Sequence, residues 1–204
     1  ERWYKEFGIN AELLIDHAWG RETCTMKEIH MYRPAKHSLS RGQILLRNYS
    51  YEECLVPLRE MVESLLLELI AEKALTKYIS LGVRYADKKV KGTGGSRRLS
   101  KYTCSLEGLS QAVLELYKKT THPHQEIRQL SVGFDDLVSR EAVLWEEDLF
   151  STSQDREEKA YQVERTVLSI KEKFGGNSIL RASSLQEEGT MQFRNTLVGG
   201  HNAT

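Results

Sequence analysis

Residues 77–86 read KYISLGVRYA, a run in which Ile79, Leu81, Val83 and Tyr85 fall on one side of an extended chain and Tyr78, Ser80, Gly82 and Arg84 on the other. Strict period-two alternation of this kind is a strand with one face buried and one face wet. Helical patterns lie on either side of it, so the chain must pair this strand with others and lay helices against its apolar side. Before it, residues 50–75 place Leu55, Leu58, Met61, Val62, Leu65, Leu69 and Ile70 on one wide apolar face. Ser50 and Glu53 stand there in capping-box spacing, and Pro57 interrupts the second turn, where it either kinks the helix or shifts its start. After the loop DKKVKGTGGS, RRLSKYTCS reads as a hairpin partner. SLEGLSQAVLELYKKT is a helix with Leu109, Val113, Leu116 and Tyr117 inward, and EIRQLSVGF is a strand with Leu130, Val132 and Phe134 inward. KHSLSRGQILLRNY, residues 36–49, is the opening strand. The order strand, helix, strand, strand, helix, strand predicts an α+β domain over residues 36–135. Its four-stranded, mostly antiparallel sheet carries both helices on one face and leaves the other open.

The flanks are less regular. Residues 2–19 read as two short helices broken at Gly8, with Asn10 as cap of the second and Ala11, Leu14, Ile15 and Ala18 as its stripe. A polar connector follows over 21–35, ending near Pro34, which favours extended backbone before the opening strand. Between residues 135 and 158 nine acids face two arginines, a local charge of −7 that reads as a solvated linker. A helix over 155–174 has Ala160, Val163, Val167, Ile170 and Phe174 as its stripe and stops at GGN. SILRASSL reads as a strand, and LVGGHNAT carries no signal. Cys24, Cys54 and Cys104 fit neither a disulfide framework nor a zinc set. No apolar run approaches the roughly 18 residues of a membrane span and no secretory leader is visible, which points to the cytoplasm.

The formal net charge is zero, so the information lies in its distribution. From Lys77 to Lys101 there are eight basic residues and one acid, a local +7, whereas residues 51–75 carry six glutamates against Arg59 and Lys73. A cationic sheet backed by an anionic helix suits a polyanion on one side, because neutralised phosphates release counterions. In the opening strand, Ser38, Ser40 and Gly42 keep side chains small enough for phosphates to approach backbone N–H groups, and Lys36 and Arg41 add charge. Arg84, Arg97, Arg98 and Lys101 complete the candidate set. The sheet lacks the aromatic pattern that RNA-recognition domains stack bases on, so duplex backbone is the better fit. His122 and His124 flank a proline without a third metal ligand, and GTGG at 92–95 lacks the strand-to-helix setting of a phosphate loop; both read as turns.

FGINAELLIDHAWG, SLSRGQILLRNY, ISLGVRYA, RQLSVGFDDL and the closing ILRASSL and NTLVGGH together resemble the C-terminal part of Y-family translesion DNA polymerases, in the UmuC (ImpB/MucB/SamB) branch of Gram-positive type. The resemblance implies the end of a helical thumb over 1–22, a linker over 23–35, and the DNA-binding little finger over 36–135. An acidic linker follows over 136–154, then a helix and tail over 155–204. It implies a parent that performs nucleotidyl transfer with Mg2+ held by palm carboxylates. That region does not precede Glu1, so the expectation is a segment without catalytic residues, metal ligands or cofactor, bound to primer-template duplex and to the palm and fingers of its own chain. WGRE replaces the GID-like end common in the thumb. Asp135–Asp136 and Glu146–Glu147–Asp148 read as solvated acids.

A competing reading makes the chain a protein-interaction module that recruits a sliding clamp or repair partners through its acidic linker and terminal helix. A third, an RNA-binding domain, would show itself by preference for single-stranded RNA. Relatives often carry a clamp-binding Q-L-x-L-F peptide here, and EEDLF keeps its two apolar anchors, Leu149 and Phe150. If that peptide functions, deleting residues 146–150 lowers affinity for a sliding clamp at least tenfold in a surface-binding assay; unchanged affinity removes the clamp from the list of partners.

Overall fold

The computed structural model describes residues 2–22, 24–31, 37–143, 153–198 and 201–202. The chain forms two compact units, Glu1–Ala35 and Lys36–Thr204.

The first unit contains α1 (Arg2–Phe7), α2 (Asn10–Ala18) and α3 (Met26–Met31). Asn10 is the first residue of α2 and not its cap; Ile9 holds the cap position without a side-chain bond. Of the expected stripe Ala11 is buried, whereas Leu14 is 46% exposed. The helix α3 stands where a polar connector was expected. Its signal is Thr25-Met-Lys-Glu28, a capping box: the Thr25 N–H donates to Glu28 Oε2 at 2.7 Å and the Glu28 N–H to Thr25 Oγ1 at 3.2 Å. The Thr25 N–H and hydroxyl hold the Glu28 carboxyl below the usual glutamate range.

The second unit begins with β1 (Ser38–Tyr49), α4 (Leu55–Ala71), β2 (Ala74–Tyr85), β3 (Thr93–Thr103), α5 (Leu106–Thr120) and β4 (Ile127–Asp135). The sheet order is β1-β4-β2-β3, with every neighbouring pair antiparallel. A short β5 (Val138–Ser139) pairs with the start of β2, so the expected α+β sheet has five strands rather than four. Each helical crossover skips one strand, which lets β1 and β2 run parallel with β4 between them.

Local chemistry sets the helix ends. The Ser50 N–H donates to Glu53 Oε2 at 2.7 Å and the Glu53 N–H to Ser50 Oγ at 3.3 Å, closing a turn just ahead of α4. The Arg47 guanidinium bonded to Glu53, together with the Ser50 N–H, pulls that carboxyl down to about 2. Pro57 shifts the start of the helix: it lies in the first turn of α4, where its missing N–H has no intrahelical partner to lose. Ser105 caps α5 by accepting from the Gly108 N–H at 3.3 Å.

The core lies between one sheet face and the two helices. Leu39, Leu45, Ile79, Leu81, Val83, Leu130, Val132 and Phe134 come from the sheet, against Leu58, Met61, Leu65, Leu69, Leu109, Val113 and Tyr117. These helical positions are the ones the periodicity singled out. Tyr117 stacks on Tyr51 and donates its hydroxyl hydrogen to the Tyr51 carbonyl at 2.9 Å.

The rest of the chain continues through α6 (Arg140–Val143), α7 (Ser153–Phe174), a 3-10 turn (Ala182–Leu185), α8 (Met191–Arg194) and a hairpin of β6 (Leu197–Val198) and β7 (His201–Asn202). SILRASSL is therefore a 3-10 turn and not a strand. The helix α7 and the 3-10 turn pack on the outer side of α4 as a third layer. Glu60 and Glu63 are consequently 2% and 3% exposed, so part of the anionic back expected of this helix becomes a buried polar seam, while Glu52 and Glu72 stay exposed. Glu60 accepts from the Thr190 N–H at 2.9 Å and hydroxyl at 2.8 Å. Arg181 bridges Glu63 at 3.1 Å and Glu164 at 2.6 Å. The inward face of α7 is Tyr161, Glu164, Leu168 and Lys171, a different stripe from the one expected, and Val163 and Phe174 stay exposed. Arg181 makes the difference, because it neutralises acids that the apolar periodicity counts as outward.

Two carboxylates buried beside one guanidinium depend on it strongly. Arg181→Met is expected to destabilise the docked tail by about 1–2 kcal/mol, through Glu164 left without its ion-pair partner and Glu63 left with Lys171 alone. Hydrogen exchange of α7 amides measures this; unchanged protection would show that the seam is held by its apolar contacts alone.

Candidate nucleic-acid interface

The second face of the sheet has no helix on it among the described residues. Its composition follows from register. Ser38, Asp135, Tyr78 and Arg98 form one cross-strand row; Ser40, Gly133, Ser80 and Ser96 the next; Gly42, Ser131, Gly82 and Gly94 the third; and Ile44, Gln129 and Arg84 the fourth. The two middle rows hold four serines and four glycines, a contiguous polar surface on which no side chain exceeds a hydroxymethyl group.

This patch arises from one tripeptide used three times. Ser40-Arg41-Gly42, Ser80-Leu81-Gly82 and Ser131-Val132-Gly133 are each S-x-G on an alternating strand, and Gly94-Gly95-Ser96 supplies the reverse order on the edge. Since β4 is antiparallel to both neighbours, each of its small residues faces the opposite kind: Gly133 lies opposite Ser40 and Ser80, and Ser131 opposite Gly42 and Gly82. A Cβ on Gly133 would collide with Ser80 Oγ, so the hydroxyl fills the space the glycine leaves. Gly94, with φ +134°, takes a backbone conformation closed to L side chains, and a Cβ there would strike the Leu81 carbonyl. The opening strand led to Ser38, Ser40 and Gly42; Ser80, Gly82, Ser131, Gly133, Gly94 and Ser96 were missed, although the recurring S-x-G was visible.

Cations border the patch. Arg98 stands over the Tyr78 ring at 5.8 Å, at one end, and exposed Arg84 stands at the other. Among the described residues neither has a carboxylate partner within ion-pair distance. Lys88, Lys89 and Lys91 are exposed on the loop joining β2 to β3. A cleft of about 340 Å³ lined by Gly82, Arg84, Gly92, Gln129 and Ser131 opens at the Arg84 end. Such a surface offers positive charge at its borders and close approach at its centre.

Three of the expected cations sit elsewhere. Arg41 shares the helix side of β1 with Leu39 and Gln43 and is ion-paired with Glu68 of α4. Arg97, opposite Ile79, turns the same way and pairs with Glu115 of α5 at 2.5 Å. That contact, with Gln111, holds the Glu115 carboxyl below its ordinary range. Lys101, past the irregularity in β3, pairs with Glu157 of α7. The expectation of one common cationic face is thus corrected: alternation sends Arg41 and Arg97 to the side where α4 and α5 supply acids. Lys36, Leu149 and Phe150 lie outside the described residues. Asp135 accepts from Ser80 Oγ at 3.2 Å, and Asp136, at φ +56°, accepts from the Tyr102 hydroxyl at 3.0 Å. Among the described residues no three of His, Cys, Asp and Glu gather in a metal-binding group. No described helix is long and apolar enough to cross a membrane.

Arg84 and Arg98 are exposed, and the contact of Arg98 with the Tyr78 ring is a surface one. Replacing either with Ala is expected to change stability by less than about 0.5 kcal/mol in chemical denaturation, as for surface changes away from special features. A loss several times larger would mean that the face is held together by these side chains.

Residues 36–144 match the impB/mucB/samB family C-terminal domain. Over 97% of its length the chain is 29% identical to UvrX of Bacillus subtilis (strain 168), whose name associates it with UV-damage repair, and 26% identical to DNA polymerase IV 2 of the same organism. It covers 46% of each, so it spans about half the length of the curated relatives it matches. A solved insertion ternary complex of Dbh DNA polymerase aligns with 68% of this chain and 38% of its own, at TM-score 0.42 and 11% identity.

Proposed function

The chain belongs to the impB/mucB/samB family through its C-terminal domain, in the Y-family polymerase group its motifs resemble, and from that premise we propose that its open sheet face holds duplex DNA by the phosphate backbone without reading bases. The observation that carries this reading is the Ser/Gly patch between Arg84 and Arg98. Phosphate groups approach the serine hydroxyls closely where the neighbouring side chains are small, while guanidinium groups at either end supply charge-assisted bonds. Sequence independence follows from the absence, on the described face, of a residue set suited to bidentate base contacts in the patch itself.

In this reading the segment binds and does not catalyse. Nucleotidyl transfer and its Mg2+ belong to a palm domain of the kind the relatives' family implies, and lesion-bypass synthesis is the activity the segment serves. The acids nearest the face, Asp135 and Asp136, accept from Ser80 and Tyr102.

Fluorescence anisotropy on labelled duplexes of unrelated sequence tests the proposal. Arg84→Ala and Arg98→Ala are expected to weaken every duplex to a similar extent, each reducing the slope of log affinity against log salt by about 1. Arg97→Ala, on the helix side, should leave affinity within about twofold of the parent by the same reasoning. Affinity that stays flat between 50 and 200 mM salt, or equal losses for Arg97 and Arg98, would overturn it.

A further inference from the structure

On the opposite side of the sheet the tail and the domain enclose a second cationic feature. A cleft of about 290 Å³ lies where α7 and α8 meet β1 and α4, and Arg41, Lys171 and Arg194 line it together with Glu68. Three cations and one acid thus line it, with Glu63 and Glu60 behind Lys171 and Arg194. Arg41 is ion-paired with Glu68, and Lys171 donates to the Gly176 carbonyl at 3.1 Å and lies 3.9 Å from Glu63. Arg194 is left with the neutral Gln43 amide oxygen at 3.1 Å and, among the described residues, no carboxylate within ion-pair distance. Burial, and then the neighbouring Arg41 charge, push its guanidinium below the usual arginine value, against the opposing pull of the Glu60 carboxylate. A second demand is unmet at the same place: the Nε of Arg41 is buried without a hydrogen-bond partner. A half-buried guanidinium with no carboxylate in ion-pair contact and an orphaned guanidinium donor are both costly, and both are relieved by an acceptor that carries negative charge.

We infer that this cleft is a binding site for a phosphoryl oxyanion, held by Arg41, Lys171 and Arg194. Arginine's planar fork matches phosphate oxygens bidentately, and lysine adds a point charge. The ligating residues come from β1, α7 and α8, so the ion clasps the tail to the sheet domain. Binding to the docked arrangement alone stabilises that arrangement by mass action. This site is separate from the open face and does not depend on the DNA-binding reading.

Titration of the isotope-labelled chain with sodium phosphate, with deoxyadenosine monophosphate, and with sodium chloride at matched ionic strength tests the inference. The Nε–H resonances of Arg41 and Arg194 are expected to shift saturably with phosphate and not with chloride. Equal affinity for both phosphorylated ligands would identify the free ion as sufficient, and tighter binding of the mononucleotide would identify a nucleotide phosphoryl group. At ten times Kd, exchange of α7 amides should slow about tenfold. Arg194→Gln should lower affinity at least tenfold. Shifts equal to those in chloride, shifts spread over the surface without saturation, or affinity retained in Arg194→Gln would each overturn it. The titration of the unaltered chain decides the matter even if that variant does not fold.

Discussion

The strand β4 is hydrogen-bonded to β1 on one side and β2 on the other, and both neighbours run antiparallel to it. This pairing fixes which side chains meet across the sheet. Because side chains alternate, a slip of one residue at either seam would turn Leu130, Val132 and Phe134 away from the helices and bring Ser131 and Gly133 into the core. Burial of the apolar set therefore pins the position of the small set, and the polar surface is specified by the energetics of the opposite side. The hydroxyl of Ser80 above Gly133 shows the same economy at short range, with one residue filling the room its cross-strand neighbour leaves.

Legibility in the sequence followed the same division. Ile79, Leu81, Val83, Leu130, Val132 and Phe134 alternate cleanly, and Leu109, Val113 and Tyr117 repeat at helical spacing, so the layer of two helices on one sheet face could be read directly. What escaped was anything decided by a partner distant in sequence. The sidedness of Arg41 and Arg97 was available in principle, since each follows the parity of its strand, but charge counted along the chain hides it. Their acids, Glu68 and Glu115, lie 27 and 18 residues away. In α7 the buried positions include Glu164, which an apolar pattern assigns to solvent until Arg181 is known to reach it.

The helix α4 illustrates how one element serves two interfaces. Leu58, Met61, Leu65 and Leu69 face the sheet, whereas Glu60 and Glu63 face the tail. Burial raises the Glu63 carboxyl above the usual glutamate value, with Arg181 and then Lys171 opposing that shift. A folded-state value raised for an acid means that its contribution is complete below about 4.5, the ordinary value, and is lost as pH rises through the raised one. The seam under the tail is thus tightest in mild acid as far as this group is concerned. Glu53, pulled down to about 2 by Arg47, acts in the other direction: its contribution is present above about 4.5 and is lost as pH falls toward 2.

The edge strand β1 contributes Ser40 and Gly42 to one surface of the sheet and Arg41 and Gln43 to the other, in four consecutive residues. It is paired along one flank, to β4. A change of register between β1 and β4 would therefore displace both sets together.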